Sequence, residues 1–334
     1  MKTVLLIGAG GIARRHVEAL RRIPTVRISG VCDINAQRAR SLARKAEAPA
    51  YNDAAHAMDA LEPDYVAILT PRQVRAPLIE LCLARRRPFF VEKPPCDRLS
   101  IGVRLRDRVA AAGVLHSVGF MHRWHEMLNA VLPQLRSEQL SLIHIRFLAP
   151  FGIAPVFETY PDPYLVERTG GLVGDQGIHY IDIARYICQA EVDTISATGA
   201  NQRLPRSTRV SSCDIVCWTL RMANGVIVNH SHTWGAARWD CRVNIVTDNS
   251  DVTIDMFGNR ADGTLAGRPC QLAGTLDEFE LQHRGFLAAL ETNDPTGIRS
   301  PYGDALRSFH VAARVNQEVY GQSGELDLPA CTTV

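Results

Sequence analysis

The sequence predicts an α/β chain in two parts: a doubly wound parallel sheet, then an α+β domain built on an open-faced, largely antiparallel sheet. Three observations carry this. Strand and helix alternate up to about residue 120, the first strand runs straight into a glycine-rich turn, and from about residue 192 four or five strands follow almost consecutively. The boundary is expected at 120/121, giving domains over 1–120 and 121–334.

Lys2-Thr3-Val4-Leu5-Leu6-Ile7 is a short apolar, β-branched run, hence a buried strand. Gly8-Ala9-Gly10-Gly11-Ile12-Ala13 follows, with a helix over 12–22. This is G-x-G-x-x-A between strand and helix. Gly8 permits the tight turn, Gly10 and Gly11 leave the backbone open to a pyrophosphate, and Ile12 and Ala13 begin the helix, Ala13 being small enough for close packing. The second strand, 27–33, ends at Asp33, twenty residues beyond Ala13, where a carboxylate meets adenosine ribose hydroxyls. The combination reads as a Rossmann dinucleotide site. A 2′-phosphate would face the Asp33 charge, so NAD is expected rather than NADP; Arg38 is the main point against this, equally readable as a solvated helix residue.

A helix over 35–47, a weak strand at Ala50-Tyr51 and a strand over 64–69 come next, the last ending in Thr70-Pro71. The helix over 74–86 closes on Arg85-Arg86-Arg87 before Pro88, where cations complement the helix dipole. Strand 88–92 runs into Glu92-Lys93-Pro94. Carboxyl ends of parallel strands line the ligand crevice, and a lysine there can stabilise a developing alkoxide. A helix over 99–112 and a strand over 115–120 complete the first domain.

Beyond residue 120 the pattern changes to a helix over 124–136, a strand over 141–148, and an irregular aromatic-rich segment over 149–170. A helix over 174–188 follows, then strands over 192–199, 211–221, 225–234, 241–247 and 251–257, and closing helices over 276–292 and 302–320. Asn224-Gly225 is a hairpin signal. Gly170-Gly171 reads as a flexible entry to the helix of Asp175 and His179, which are spaced i, i+4 and so share one face, with Asp182 continuing it. A carboxylate and an imidazole one turn apart suit proton transfer; a capping Asp and a packed His are the plain alternative. His230, His232 and Trp234 alternate along one strand face; no third ligand accompanies the histidines, so no metal is expected, and packing at a subunit interface is.

Composition narrows the function classes. A net charge of +2 and a pI near 8.1 give no argument for nucleic acid or an anionic membrane. No apolar run reaches transmembrane length, and the glycines and Arg14-Arg15 spoil the N-terminus as a signal peptide. Nine cysteines without C-x-x-C pairs fit reduced thiols, so a cytoplasmic location is expected.

The set of G-x-G-x-x-A, Thr70-Pro71, Glu92-Lys93-Pro94, Gly119-Phe120-Met121-His122-Arg123-Trp124, Gly170-Gly171…Asp175-x-Gly-x-His179-x-x-Asp182 and the Gly324-Glu325-Leu326-Asp327-Leu328 ending resembles the glucose–fructose oxidoreductase/inositol dehydrogenase (Gfo/Idh/MocA) family across essentially the whole chain. The resemblance implies hydride transfer between NAD and a secondary alcohol or carbonyl of a sugar, polyol or related ring. It implies Lys93 as catalytic lysine, Asp175 as substrate-orienting aspartate and His179 as proton relay. Gly8, Gly10, Gly11, Ile12, Ala13, Asp33, Thr70, Pro71, Glu92, Lys93 and Arg123 would lie at the cofactor, and Lys93, Trp124, Tyr160, Asp175 and His179 at the substrate. Other expected substrate determinants are Phe151, Phe157, Glu158, Tyr164 and Arg168. A homodimer or homotetramer through the open sheet face is implied. Imine reduction, dihydrodiol oxidation and a non-catalytic dinucleotide-binding regulator are the alternatives. Where relatives often carry Asn and His after Thr-Pro, this chain has Arg72 and Arg75, expected to be solvated surface arginines, with contact to a cofactor phosphate or a substrate anion as the alternative.

Overall fold

The computed structural model describes residues 1–150, 166–204 and 211–321. The chain divides into two compact units, Met1–Trp124 with Leu276–Leu306, and His125–Thr275 with Arg307–Val334. The division differs from a single cut at 120/121, because a late segment returns to the first unit.

The first unit is a six-stranded parallel sheet in the order β3-β2-β1-β4-β5-β6, the arrangement of a doubly wound dinucleotide fold. Its strands are β1 (Lys2–Ile7), β2 (Val26–Cys32), β3 (Ala50–Tyr51), β4 (Tyr65–Ile68), β5 (Phe89–Val91) and β6 (His116–Val118). Between them run α1 (Gly11–Arg21), α2 (Ala36–Ala46), α3 (Ala54–Leu61), α4 (Arg75–Ala84) and α5 (Leu99–Ala112). The pattern of strands matches the expectation; α3 was not expected. Its start is nonetheless local chemistry, since Asp53 caps the helix by accepting from the His56 amide at 2.6 Å.

The core of this unit gathers Val4 and Leu6 of β1, Ala13, Val17 and Leu20 of α1, Val31, Leu42 and Tyr65. Phe286 and Leu287, far along the chain, join the same cluster, and Phe286 meets Tyr65 edge-on with centroids 5.4 Å apart. That burial brings residues 276–306 back: a large aromatic leaving this core would re-expose about 3–5 kcal/mol of packing.

The second unit holds α6 (Glu126–Arg136), β7 (Leu140–Leu148), the short helix α7 (Val166–Thr169), α8 (Ile178–Cys188) and seven further strands. These are β8 (Val192–Ala200), β9 (Ile215–Met222), β10 (Ile227–Thr233), β11 (Asp240–Thr247), β12 (Asp251–Asp255), β13 (Arg260–Leu265) and β14 (Arg268–Ala273). The order is β14-β13-β12-β11-β7-β10-β9-β8, antiparallel apart from the parallel β7–β10 pair. The hairpin at Asn224-Gly225 forms as expected, with Gly225 at φ +89°. The β13–β14 hairpin was not expected; its turn places both Ala266 and Gly267 at positive φ. Helix α9 (Glu278–Thr292) belongs to the first unit, and α10 (Tyr302–Tyr320) serves both.

One face of the eight-stranded sheet carries the buried residues Ile143, Ile145, Phe147, Val216, Trp218, Val228, Val243 and Ile245, with α8 packed against β7. His230 and His232 lie on this inner face and are buried, which corrects their assignment to a subunit interface. His230 is stacked between Trp218, 3.9 Å between centroids, and Tyr180, at 5.1 Å.

Candidate active site

At the end of β1, Gly8 takes φ +106°, and a Cβ there would come within 2.7 Å of the Leu69 carbonyl oxygen. Glycine is demanded twice, by the dihedral and by the close pass of β4. The Gly8 amide donates to Cys32 O at 2.7 Å, and the Ala9 amide donates to Asp33 Oδ2 at 2.7 Å, tying the turn to the end of β2. Asp33 Oδ1 accepts from the Asn35 amide at 2.8 Å. Each oxygen thus keeps lone-pair capacity for ribose hydroxyls.

The start of α1 fits a pyrophosphate. Gly10 stands at its N-cap with no side-chain cap, and no acidic residue occupies the first turn. A Cβ on Gly10 or Gly11 would meet nothing within 4 Å, so no other group crowds the chain where it enters α1. Ala13 is fully buried, and Ile12 is exposed beside it. Thr70, next to Gly8, has its Oγ1 buried without a hydrogen-bond partner, while Pro71 is exposed. An orphaned hydroxyl at a glycine turn is a fitting contact for a cofactor.

Arg75 is not a surface arginine. It is buried, donating from Nε at 2.9 Å and Nη2 at 2.7 Å to Thr70 O, and from Nη1 to Glu92 O at 2.6 Å and to Pro94 O. One planar fork therefore joins the loops leaving β4 and β5. Burial lowers the guanidinium to about 10, which keeps it charged at neutral pH. Arg72 is half-buried.

Glu92 is buried within the first unit. Its Oε1 lies 3.0 Å from His16 Nε2, whose Nδ1 lies 2.8 Å from His283 Nε2, and its Oε2 accepts from the Lys93 amide at 3.1 Å. A carboxylate only accepts, so His16 donates to it through Nε2. Burial raises the Glu92 pKa, but the His16 bond outweighs it with the nearby charges and holds the carboxyl below its usual range. Burial also pushes His283 well below the usual imidazole range. Glu92 thus anchors the backbone that carries Lys93. Gly119 makes room for it, since a Cβ there would stand 2.8 Å from Glu92 Oε1. Lys93, at the carboxyl end of β5 before a cis bond to Pro94, is half-buried.

The Gly119–Trp124 motif is a clamp. His122 Nδ1 lies 2.8 Å from Glu278 Oε2, and Arg123 pairs with Asp304 at 2.6 Å. Arg123 also donates to Arg299 O, and Arg299 returns a bond to Arg123 O at 2.7 Å. Arg299 lies 4.0 Å over the Trp124 ring, and a Cβ on Gly285 would come within 1.9 Å of that ring. Arg123 and Trp124, named above at cofactor and substrate, meet Gly285, Arg299 and Asp304 of the returning segment. A motif is silent about such use, because its partners lie more than 150 residues away.

In the second unit, Gly170 and Gly171 take φ +77° and +59°. The entry to the Asp/His helix is a set bend: Gly170 O accepts from Asn316 at 2.9 Å, and the Leu172 amide donates to Ser212 Oγ at 3.1 Å. Val173–Gly177 forms a π-helical turn before α8, where a continuous α-helix was expected. Such turns recur at functional sites. Asp175 sits half-buried in the π-turn, and His179, 7% exposed, lies in the first turn of α8. Asp182 turns to α10, accepting from Ser308 Oγ at 2.7 Å, which itself accepts from Arg185 at 2.7 Å. Tyr160, with Phe151, Phe157, Glu158 and Tyr164, lies outside the described residues, as do the Arg168 side chain and the 324–328 ending.

No helix among the described residues is long and apolar enough to cross a membrane, and no disulfide joins the described cysteines. The sheet order, the glycine turn and the acid that follows β2 define a dinucleotide-binding domain. The comparisons carry this further. The model described as the oxidoreductase family with an NAD-binding Rossmann fold matches residues 2–120, and that of the GFO/IDH/MocA C-terminal domain matches 139–253. The oxidoreductase YrbE of Bacillus subtilis is 27% identical over 329 residues, covering 94% of this chain and 93% of its own. Inositol 2-dehydrogenase of Rubrobacter xylanophilus is 24% identical over 295 residues, covering 86% and 76%. The structure of scyllo-inositol dehydrogenase from Lactobacillus casei with NAD(H) and scyllo-inositol superposes with a TM-score of 0.83 at 16% identity, covering 96% and 97%. The chain belongs to the GFO/IDH/MocA oxidoreductase family, and NAD is its cofactor.

Proposed function

We propose that this oxidoreductase moves a hydride between NAD and a secondary alcohol or carbonyl on a cyclic polyol or sugar. The observation that carries the reading is the Asp175/His179 pair, four residues apart across the junction of the π-turn and α8, with His179 buried and Asp175 half-buried. The inositol dehydrogenase relatives support the substrate class. NAD, held by the Gly8–Ala13 turn, Asp33 and Thr70, supplies the hydride acceptor or donor. In the oxidative direction His179 takes the hydroxyl proton, Lys93 stabilises the oxygen with its compact positive charge, and Asp175 orients a neighbouring hydroxyl or the imidazole.

The test is reduction of NAD, followed at the reduced-nicotinamide band, with a panel of inositols, pentoses, hexoses and hexose phosphates. At least one should be oxidised, and His179→Ala should lower turnover by about 100-fold. Tight NAD binding with no turnover on any panel member, or unchanged turnover in His179→Ala, would count against this reading.

Assembly as a homodimer or homotetramer through the outer face of the eight-stranded sheet belongs to the same proposal. That face carries His144, Arg146, Thr219, Asn229, Ser231 and Arg242 around an open cavity of about 800 Å³. Light scattering giving the mass of a monomer would exclude it.

A further inference from the structure

Gln176 and Gly177, the two residues after Asp175, are both seated on the inner face of the eight-stranded sheet. Gln176 Oε1 accepts from Trp234 Nε1 at 2.8 Å and lies 3.2 Å from His232 Nε2. An indole N–H only donates, so this amide atom is the oxygen and His232 must donate through Nε2. Burial pushes both His232 and His230 well below the usual imidazole range, so both rings are neutral. His232 then offers a lone pair on Nδ1, 3.3 Å from His230 Nε2, which carries the proton in turn. The chain runs one way, from His230 to His232 to Gln176. Gly177 rests on the neighbouring Trp218: a Cβ there would come within 2.9 Å of the indole, which stacks on His230.

A π-helical turn is disfavoured on its own and persists where its surroundings over-determine it. We propose that Gln176, His232, His230 and Trp234, with Trp218 beneath Gly177, form a platform that fixes the Val173–Gly177 turn and so positions Asp175 and His179. Gln176, His232 and Trp234 are positioning residues; their role in turnover rests on the function proposed above. The amide oxygen is the working atom, because it accepts from both His232 Nε2 and Trp234 Nε1.

The experiment compares wild type, Gln176→Leu, Gln176→Glu and His179→Ala by hydrogen exchange of backbone amides and by turnover with NAD and the best panel substrate. Gln176→Leu should speed exchange over 173–179 by about tenfold or more, leave the rest of the unit unchanged, and lower kcat by about tenfold with NAD affinity intact. Gln176→Glu keeps an acceptor oxygen and should restore both readings to within about threefold. Wild-type exchange and kcat in Gln176→Leu, or equal losses in the Leu and Glu variants, would overturn the platform. Should Gln176→Leu fail to fold, ¹⁵N spectra of labelled histidines in wild type decide: Nε2–H on both rings is expected, and Nδ1–H on His232 overturns the chain. An inactive His179→Ala beside a normal Gln176→Leu sinks the platform alone. A fully active His179→Ala sinks the catalytic reading, and the positioning role with it.

Discussion

Replacing Arg75 by Met tests whether one buried guanidinium holds the cofactor side of the first unit together. Methionine keeps most of the aliphatic stem and removes every donor. Three carbonyls, of Thr70, Glu92 and Pro94, then lose their partner. Each buried orphan costs about 1–3 kcal/mol, for a gross loss of about 3–6 kcal/mol after partial relaxation. Against this stands the relief of a desolvated charge, about 3 kcal/mol from the lowering of the guanidinium to about 10. The orphaned carbonyls win by about 2 kcal/mol, which lowers the Tm of the first unit by roughly 4–8 °C. Because the same loops carry Thr70 and Lys93, NAD affinity should fall several-fold. Arg75→Lys should rescue neither reading, since one ammonium cannot reproduce the planar fork. Calorimetry and NAD titration on the three proteins make the measurement. A Tm within about 1 °C of wild type, with unchanged NAD affinity, would refute the clamp and return Arg75 to a filler of space.

Asp33→Ser should narrow the preference for NAD over NADP, because it removes two ribose acceptors and the charge that repels a 2′-phosphate; tighter binding of NADP by the wild type would contradict this assignment. Lys93→Met should lower turnover by about 100-fold while NAD affinity stays within a few-fold, measured by steady-state kinetics and titration; near-normal turnover would move the oxygen-stabilising role elsewhere. Acid should destabilise the protein well above the carboxylate range. His230, His232 and His283 have folded-state pKa values depressed by burial, so below about pH 6.5 the unfolded chain takes up protons that the folded chain does not. Their contribution is complete above that pH and is lost on acidification, by about 3 kcal/mol per pH unit for the two histidines of the second unit. Urea unfolding at pH 7, 6 and 5 checks it, and a flat stability over that range would contradict it.

What could be read from the sequence is what short-range chemistry dictates. The β1–turn–α1 unit was legible because Gly8, Gly10 and Ala13 answer local demands of dihedral, open backbone and close packing. The parallel sheet was legible from apolar runs alternating with helical ones, and the β9–β10 hairpin from Asn224-Gly225. The β13–β14 hairpin escaped because Arg260–Leu265 and Arg268–Ala273, at one end of the sheet, bury almost nothing and carry no alternating pattern. The helix of Asp175 and His179 was legible as amphipathic spacing, but its π-turn was not, since the seat for Gln176 and Gly177 is built from β9 and β10. Tertiary structure alone decided that Arg75 is buried, that Glu92 is anchored through His16 to His283, and that Arg123 and Trp124 clamp residues 278–304. These roles depend on partners distant in sequence. A side chain's type sets which bonds it can make, and only the folded chain sets which groups, freed from water, are there to make them.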